Sequence, residues 1–310
     1  MLSGVSIVCF AGSYTVALVL ELSRLLFRSR VRWPLMVGVA AAGLFAHTVY
    51  LYYRAVGAVG APLSSQRDWY LLAAWVLAAV YLYLTCYHPQ TSFGPFLLPL
   101  VLGLLGTARF FADLEPFPRQ PASTVWGWIH GVSILLAVVA VLVGFAAGVM
   151  YLHQAGRLKR KRPPLQGLRL PSLEWLHRVN QRAITLAAVM FGVGLISGIL
   201  LNGIRSPRPQ GRLPWDDPIV LSTLVTFGWL LLSLIVTRFT KSVRQGPKVA
   251  YFTLVSFLIL AIALSVGLFV RTQHGGGRPL TEGTVQGSGS APYGNSEFRL
   301  PTSEFTGGAS

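Results

Sequence analysis

Eight apolar stretches, each close to the length that crosses a lipid bilayer, occupy most of this 310-residue chain. A helix needs about 20 apolar residues to cross the hydrocarbon layer, where every backbone polar group must be satisfied within the protein. The stretches cover approximately residues 4–26, 34–56, 69–87, 94–112, 125–152, 183–203, 218–237 and 248–271. We therefore expect an all-α, polytopic membrane protein with eight transmembrane helices within residues 1–274.

The composition excludes an ordinary soluble enzyme. Only 12% of the residues are charged and 53% are hydrophobic, whereas about 25% are charged in a typical soluble domain. The net charge of +16 comes from short basic clusters between the apolar stretches, which indicates topology signals rather than a nucleic-acid partner. Residues 275–310 are rich in Gly, Ser and Pro, which predicts a disordered tail.

The basic loops predict the orientation of the helices. If every stretch crosses the membrane, the loops after the first, fifth and seventh stretches lie on one side. These loops contain most of the basic residues: Arg28, Arg30, Arg32, Arg157, Lys159, Arg160, Lys161, Arg162, Arg169, Arg178, Arg238, Lys241, Arg244 and Lys248. The positive-inside rule then places these loops in the cytoplasm and both termini outside.

Reporter fusions test this orientation. An alkaline phosphatase fusion after residue 275 is expected to be active, and a fusion at residue 160 inactive, because the enzyme folds only outside the cytoplasm. The reverse pair of activities would contradict the predicted topology.

Several side chains that can bind a porphyrin share the predicted outer face. His130 lies near the start of the fifth stretch, in WGWIHG, and His274 follows the eighth. Neutral imidazoles are strong axial ligands of haem iron, and a tryptophan offers a flat surface to the macrocycle. Trp215 and Asp216 lie in the loop before the seventh stretch, together with arginines that can pair with propionates: Arg205, Arg208 and Arg212. The alternative interpretation is that these histidines and tryptophans only anchor the helices at the headgroup level.

The remaining histidines and one polar segment lead to weaker expectations. His47 lies in the middle of the second stretch, where burial of an ionisable group in the lipid costs free energy. By default such a residue is interpreted as functional. The alternative is a structural role, in which a neutral imidazole is hydrogen-bonded to a neighbouring helix. His88, His153 and His177 lie at predicted cytoplasmic ends, and we expect them to be solvated. Residues 171–182 mix Leu, Trp and charge, which predicts an interfacial helix before the sixth stretch.

Four segments of the second half resemble the cytochrome c assembly family, which includes CcsA, CcmC and the HemX-like and YpjD-like proteins. The resemblance covers about residues 125–274. The segments are WGWIHGVSILLAVVAVLVGFAAGVMYL, LEWLHRVNQRAITLAAVMFGVGLISGIL, RLPWDDPIVLSTLVTFGWLL and SVGLFVRTQH. Members that move haem across the membrane carry a histidine before Thr-Arg in the seventh span, whereas this chain has Val236 there.

The resemblance implies that His130 and His274 are the two external ligands of a haem b, and that Trp215 with Asp216 belongs to a haem-handling loop. It implies a haem-handling protein for cytochrome c maturation in the bacterial cytoplasmic (inner) membrane. Its partners would be membrane lipid, a CcsB-like membrane protein and apocytochrome c, and it would perform no catalysis alone. Two alternatives stay open: a HemX-like regulator of haem biosynthesis that acts through cytoplasmic residues 154–181, and a generic permease, against which the lack of internal repeats counts.

Overall fold

Within the described residues, the computed structural model of the chain contains eight α-helices and no strand. It describes residues 6–23, 32–57, 65–114, 124–161, 169–205, 217–239 and 248–269. The helices are α1 Ile7–Leu22, α2 Arg32–Val56, α3 Gln66–Tyr87, α4 Gly94–Phe110, α5 Thr124–Lys159, α6 Leu173–Arg205, α7 Pro218–Phe239 and α8 Lys248–Phe269. The predicted all-helical membrane fold is therefore confirmed.

Six of the eight helices are long and apolar enough to cross a membrane, and two are shorter. Helix α1 has 16 residues and α4 has 17. At 1.5 Å per residue they reach about 24–26 Å, slightly less than the hydrocarbon thickness of about 30 Å. Helix α4 packs against both α1 and α3, and Phe10, Leu71 and Leu98 of these three helices belong to one buried cluster. The predicted tail, residues 275–310, lies outside the described residues.

One local prediction is wrong, because residues 173–182 form no separate interfacial helix. They are the first turns of α6, which continues for 33 residues. Ser172 begins this helix, since its hydroxyl accepts a hydrogen bond from the Trp175 N–H at 3.3 Å. Neither Gly nor Pro occurs between Leu173 and Phe191, so nothing in the backbone separates an interfacial segment from the apolar one.

Helix α5 is the most enclosed element of the fold. It packs against α3, α4, α6 and α8, and 67% of its most apolar 18 residues are buried, against 17% for α7 and for α8. A helix that is hydrophobic all round is expected to be surrounded by other helices or by lipid. The neighbours of α5 supply that surrounding, and its last residues, which include Arg157 and Lys159, extend beyond the apolar part.

Two glycines one turn apart let α8 and α6 approach α5 closely. A Cβ added at Gly148 would lie 2.6 Å from Thr253 Oγ1 and 3.2 Å from the Ala250 carbonyl oxygen, both in α8. A Cβ at Gly144 would lie 3.0 Å from the Ala183 Cβ in α6. Gly144 and Gly148 form a G-x-x-x-G pair, the pattern that allows close contact between helix backbones in a membrane.

Substitution of Gly148 by Ala is expected to destabilise the protein by about 1–3 kcal/mol, the usual cost of overpacking, since the new methyl group has no space. The matched control is Gly156→Ala in the same helix, where an added Cβ meets no atom within 4 Å. That control should keep or slightly raise the melting temperature, because Ala favours helix over Gly. Thermal unfolding in detergent measures both, and equal melting temperatures would refute the close-contact interpretation.

Candidate functional site

Contacts between helix termini bring one end of each of six helices together. Arg54 near the end of α2 pairs with Asp68 in the first turn of α3, and Trp69 of α3 contacts Trp128 near the start of α5, with ring centroids 6.0 Å apart. Three more helices reach the same region. Gly198 in the later part of α6 lies against His130 of α5. Gly267 at the end of α8 lies beside Ile219 at the start of α7, and its carbonyl accepts a hydrogen bond from Gln66 of α3. We call this region the His130 end of the bundle. The opposite end contains His88, Phe93 and Trp175, and we call it the Trp175 end.

His130 is held by the backbone of α6. Its Nδ1 lies 2.7 Å from the carbonyl oxygen of Gly194, which also accepts a hydrogen bond from the Ser197 hydroxyl at 2.9 Å. A carbonyl oxygen can only accept, so Nδ1 carries the proton and donates it. The lone pair of the neutral ring is therefore on Nε2.

The glycines of α6 make room for this imidazole. A Cβ at Gly198 would lie 3.1 Å from both Cε1 and Nδ1 of His130, and a Cβ at Gly194 would lie 2.5 Å from Ile134 Cδ1. Gly194 and Gly198 form a second G-x-x-x-G pair, which faces the first part of α5. The His130 ring therefore occupies the space that a side chain at Gly198 would fill, and Ile134 occupies the space at Gly194.

Two tryptophans on neighbouring helices lie beside the α5 turn that carries His130. A Cβ at Gly131 would lie 2.5 Å from Cη2 of Trp69, so the indole ring rests on the α5 backbone next to His130. Trp128 contacts the same indole. The sequence analysis did not identify Trp69. Its position could have been predicted, because Ser65 and Asp68 form a capping box that marks the start of an apolar helix, and Trp69 follows it directly.

An ion pair fixes the start of α3 against α2. Asp68 is buried and accepts hydrogen bonds from the guanidinium of Arg54 and from the hydroxyl and N–H of Ser65. The Arg54 guanidinium also donates to the Ser65 hydroxyl at 3.3 Å. A buried carboxylate with several donors is stabilised, whereas loss of one partner leaves an uncompensated charge. The network therefore determines where Gln66 and Trp69 lie.

His47 is enclosed between α1 and α2, two turns before Arg54 in the same helix. It is fully buried, stacks on Phe10 with ring centroids 4.1 Å apart and an interplanar angle of 6°, and its Nδ1 lies 3.4 Å from the Tyr14 hydroxyl. Its Nε2 has no hydrogen-bond partner of good geometry among the described residues, although the backbone of Leu71 lies beside the ring. The structure does not bring His47 together with His130.

The other three histidines belong to the opposite half of the molecule. His153 is exposed, as expected. His88 and His177 are half-buried rather than fully solvated, because aromatic rings cover them. The His88 ring stands edge-on to Trp175, with centroids 5.8 Å apart, and His177 lies 6.5 Å from Tyr151.

Most of the other predicted ligand residues lie outside the described residues, namely Arg208, Arg212, Trp215, Asp216 and His274. Arg205 is the last residue of α6, and nothing is described of its side chain. Asp217, next to the predicted Trp-Asp pair, is the N-cap of α7: its carboxylate accepts a hydrogen bond from the Ile219 N–H at 2.9 Å. No group of three or more His, Cys, Asp or Glu residues placed to bind a metal ion occurs in the described parts of the chain.

This arrangement of apolar helices around a buried α5 defines a multi-pass membrane protein. The family described as Cytochrome C assembly protein matches residues 64–274, and the chain belongs to that family. The match begins 61 residues before the segment that resembled the family, so it includes α3 and α4. Comparisons with curated proteins and with solved structures found no match. The protein is thus a membrane protein of cytochrome c biogenesis.

Replacement of His47 by Gln is expected to leave most of any haem that the purified protein binds, because this imidazole packs between α1 and α2 against Phe10 and Tyr14. The lost stacking on Phe10 should lower stability by up to about 2 kcal/mol. Absorbance at the Soret band and thermal unfolding measure the two effects, with His153→Gln as the exposed control. Complete loss of haem from a folded His47→Gln protein would place the haem site inside the bundle.

Proposed function

We propose that this protein binds haem b at the His130 end and presents it at the outer face of the bacterial cytoplasmic membrane for cytochrome c maturation. The observation that carries the proposal is the hydrogen bond from His130 Nδ1 to the Gly194 carbonyl. In histidines that bind metals, the second ring nitrogen almost always donates to a carbonyl or carboxylate, which fixes the tautomer and the ring orientation. His130 has this arrangement before any ligand is present.

The chemistry of the available donor atoms fits haem better than a free metal ion. The described residues contain no cluster of ligands that could complete the coordination of an ion, whereas haem iron receives four nitrogens from the porphyrin and needs only axial ligands from the protein. One fixed imidazole with its lone pair on Nε2 provides the first. Haem b, when bound, supplies the iron porphyrin that becomes attached to apocytochrome c.

We propose His274 as the second axial ligand. Helix α8 ends at Phe269, and the chain from Phe269 to His274 can extend over at most about 18 Å. The end of α8 belongs to the His130 end, because a Cβ on Gly267 would contact Ile219 at the start of α7 and Gln66 of α3 donates to the Gly267 carbonyl. The two imidazoles would come from α5 and from the segment that follows α8, and α5 and α8 pack against each other.

The loop before α7 is proposed to hold the rest of the macrocycle. Trp215 would stack on the ring, Asp216 would belong to the same loop, and Arg205, Arg208 or Arg212 would pair with a propionate. Asp217 directly follows Asp216 in sequence and caps the start of α7 at the His130 end, which supports the assignment. This chain would bind and orient haem, and a CcsB-like partner with apocytochrome c would complete the attachment.

A second candidate function is a HemX-like regulator of haem biosynthesis that acts through residues 154–181. Helix α5 supports it, because the helix continues to Lys159, past the expected end of the apolar stretch, and presents basic side chains beyond the bundle. The Trp175 end would then carry the function. The two candidates predict different sensitive positions, since the first depends on His130 and the second on Arg157 and Lys159.

Substitution of either His130 or His274 by Ala is expected to open one coordination position. Iron with two imidazole ligands is six-coordinate and low-spin, so each variant should shift the absorption and electron paramagnetic resonance spectra toward high-spin haem. Added imidazole should restore the low-spin spectrum. Trp215→Ala should weaken haem retention without a change of spin state, because stacking acts on the ring and not on the metal.

The control is His153→Ala, an exposed position in the same helix as His130. It should leave the spectrum unchanged. An unaltered low-spin spectrum in both single variants, or a folded wild-type protein that binds no haem when haem is supplied, would refute the ligation proposal. In that case Arg157→Gln with Lys159→Gln becomes the decisive variant for the regulatory function.

A further inference from the structure

One carbonyl oxygen of α6 is shared by two side chains that donate hydrogen bonds. The Gly194 oxygen lies 2.7 Å from Nδ1 of His130 and 2.9 Å from the hydroxyl oxygen of Ser197. In a regular α-helix the same oxygen also accepts from the N–H four residues later, here that of Gly198. A carbonyl oxygen has only two lone pairs, so these donors compete for it. The hydrogen bond from His130 is therefore weaker whenever the Ser197 hydroxyl points at this oxygen.

The Ser197 hydroxyl has two acceptors within reach. Its oxygen lies 2.7 Å from the Val193 carbonyl oxygen, as well as 2.9 Å from that of Gly194. A hydroxyl has one proton, which rotates about the C–O bond to suit its surroundings. Ser197 is buried, with 1% of its surface exposed, so bulk solvent does not reach the hydroxyl. The single proton is thus divided between two neighbouring carbonyls of the same helix.

This arrangement differs from the usual one for a hydroxyl inside a helix. Ser and Thr commonly donate to the carbonyl four residues before them, as Ser265 does to Ala261 at 2.8 Å. For Ser197 that carbonyl belongs to Val193, and the second acceptor is the one to which His130 of α5 donates. The hydroxyl therefore connects the backbone of α6 with the imidazole of the neighbouring helix.

The strength of the His130 hydrogen bond matters for a metal ligand. Donation from Nδ1 to a carbonyl raises the basicity of the other ring nitrogen, Nε2. A more basic axial imidazole stabilises ferric haem relative to ferrous haem and so lowers the reduction potential. Hydrogen bonding around the axial ligand is one of the means by which proteins adjust that potential.

We infer that Ser197 is a positioning residue for His130: its hydroxyl competes for the Gly194 carbonyl and thereby controls how strongly the imidazole donates to it. The inference rests on the proposed function, since it concerns His130 as an axial ligand. Ser197 acts through the His130 ring and is not itself a ligand. Its effect is on the reduction potential of the bound haem and not on the capacity to bind haem.

Ser197→Ala removes the competing donor, so the hydrogen bond from His130 should strengthen and the reduction potential of the haem-loaded protein should fall. At the wild-type midpoint potential, the ratio of ferric to ferrous haem is expected to rise about 2- to 10-fold, the range that one neutral hydrogen bond covers. The haem content and the low-spin spectrum should stay unchanged, because no ligand is lost. Spectroelectrochemical titration measures the potential.

Two further variants calibrate this result. Ser197→Cys has a similar volume, but a thiol donates only weakly, so its potential should lie between those of the wild type and Ser197→Ala. It also replaces Ser197→Ala should that variant not fold, with the same expected direction. Ser265→Ala is the matched control, because its hydroxyl donates to a carbonyl of α8 and its loss should leave the potential unchanged. An unchanged or higher potential in both Ser197 variants overturns the inference while the His130 ligation stands.

A replacement ligand distinguishes an effect through the His130 ring from a direct effect of the hydroxyl dipole on haem. In His130→Ala, added 1-methylimidazole can occupy the open position on the iron, but it has no ring N–H to donate to Gly194. Adding Ser197→Ala to that protein should cause no further change of potential. A change equal to that seen with His130 present overturns the inference. If His130→Ala itself leaves the haem spectrum unaltered, the proposed function fails instead.

Discussion

The close approach of α5 and α6 is the constraint on which the rest of the structure depends. Glycines on both helices remove the side chains that would separate them, with Gly144 on α5 and Gly194 and Gly198 on α6. In a membrane, where no hydrophobic effect drives helices together, such contact supplies much of the attraction. It also brings the α6 backbone within hydrogen-bond distance of the His130 ring, so the packing of the pair and the orientation of its imidazole have the same cause.

The sequence predicted the number, type and approximate position of the helices, because hydropathy reports directly on the need to satisfy the backbone in lipid. It was wrong about residues 173–182, where charged and polar residues suggested a helix on the membrane surface. Those residues belong to α6, because Gly and Pro interrupt helices whereas charged side chains do not, and this segment contains neither Gly nor Pro. Charge within a helix indicates which part leaves the lipid, not where the helix begins.

The site was only partly predictable, for a physical reason. His130 was identified from its position near a helix end and from the family resemblance, but the acceptor of its Nδ1 proton is a backbone carbonyl 64 residues away. Backbone acceptors have no sequence signature, because every residue has one. Gln66 was missed for the same reason: its partners are the Gly267 carbonyl and the Asp113 N–H. Asp217, in contrast, has a local role as a helix cap that its position before Pro218 indicates.

The two ends of the bundle are fixed by different kinds of contact. At the Trp175 end, rings of His88, Phe93 and Trp175 pack edge-on or tilted, and aromatic contacts of this kind tolerate small shifts. At the His130 end, hydrogen bonds with defined donors and acceptors join helix termini through Asp68, Gln66 and His130. Hydrogen bonds weaken steeply as their angle departs from linear, so they define relative positions more tightly than ring packing does. The proposed haem site would need that kind of definition to hold its ligands at one iron, and the described residues concentrate it at the end where His130 lies.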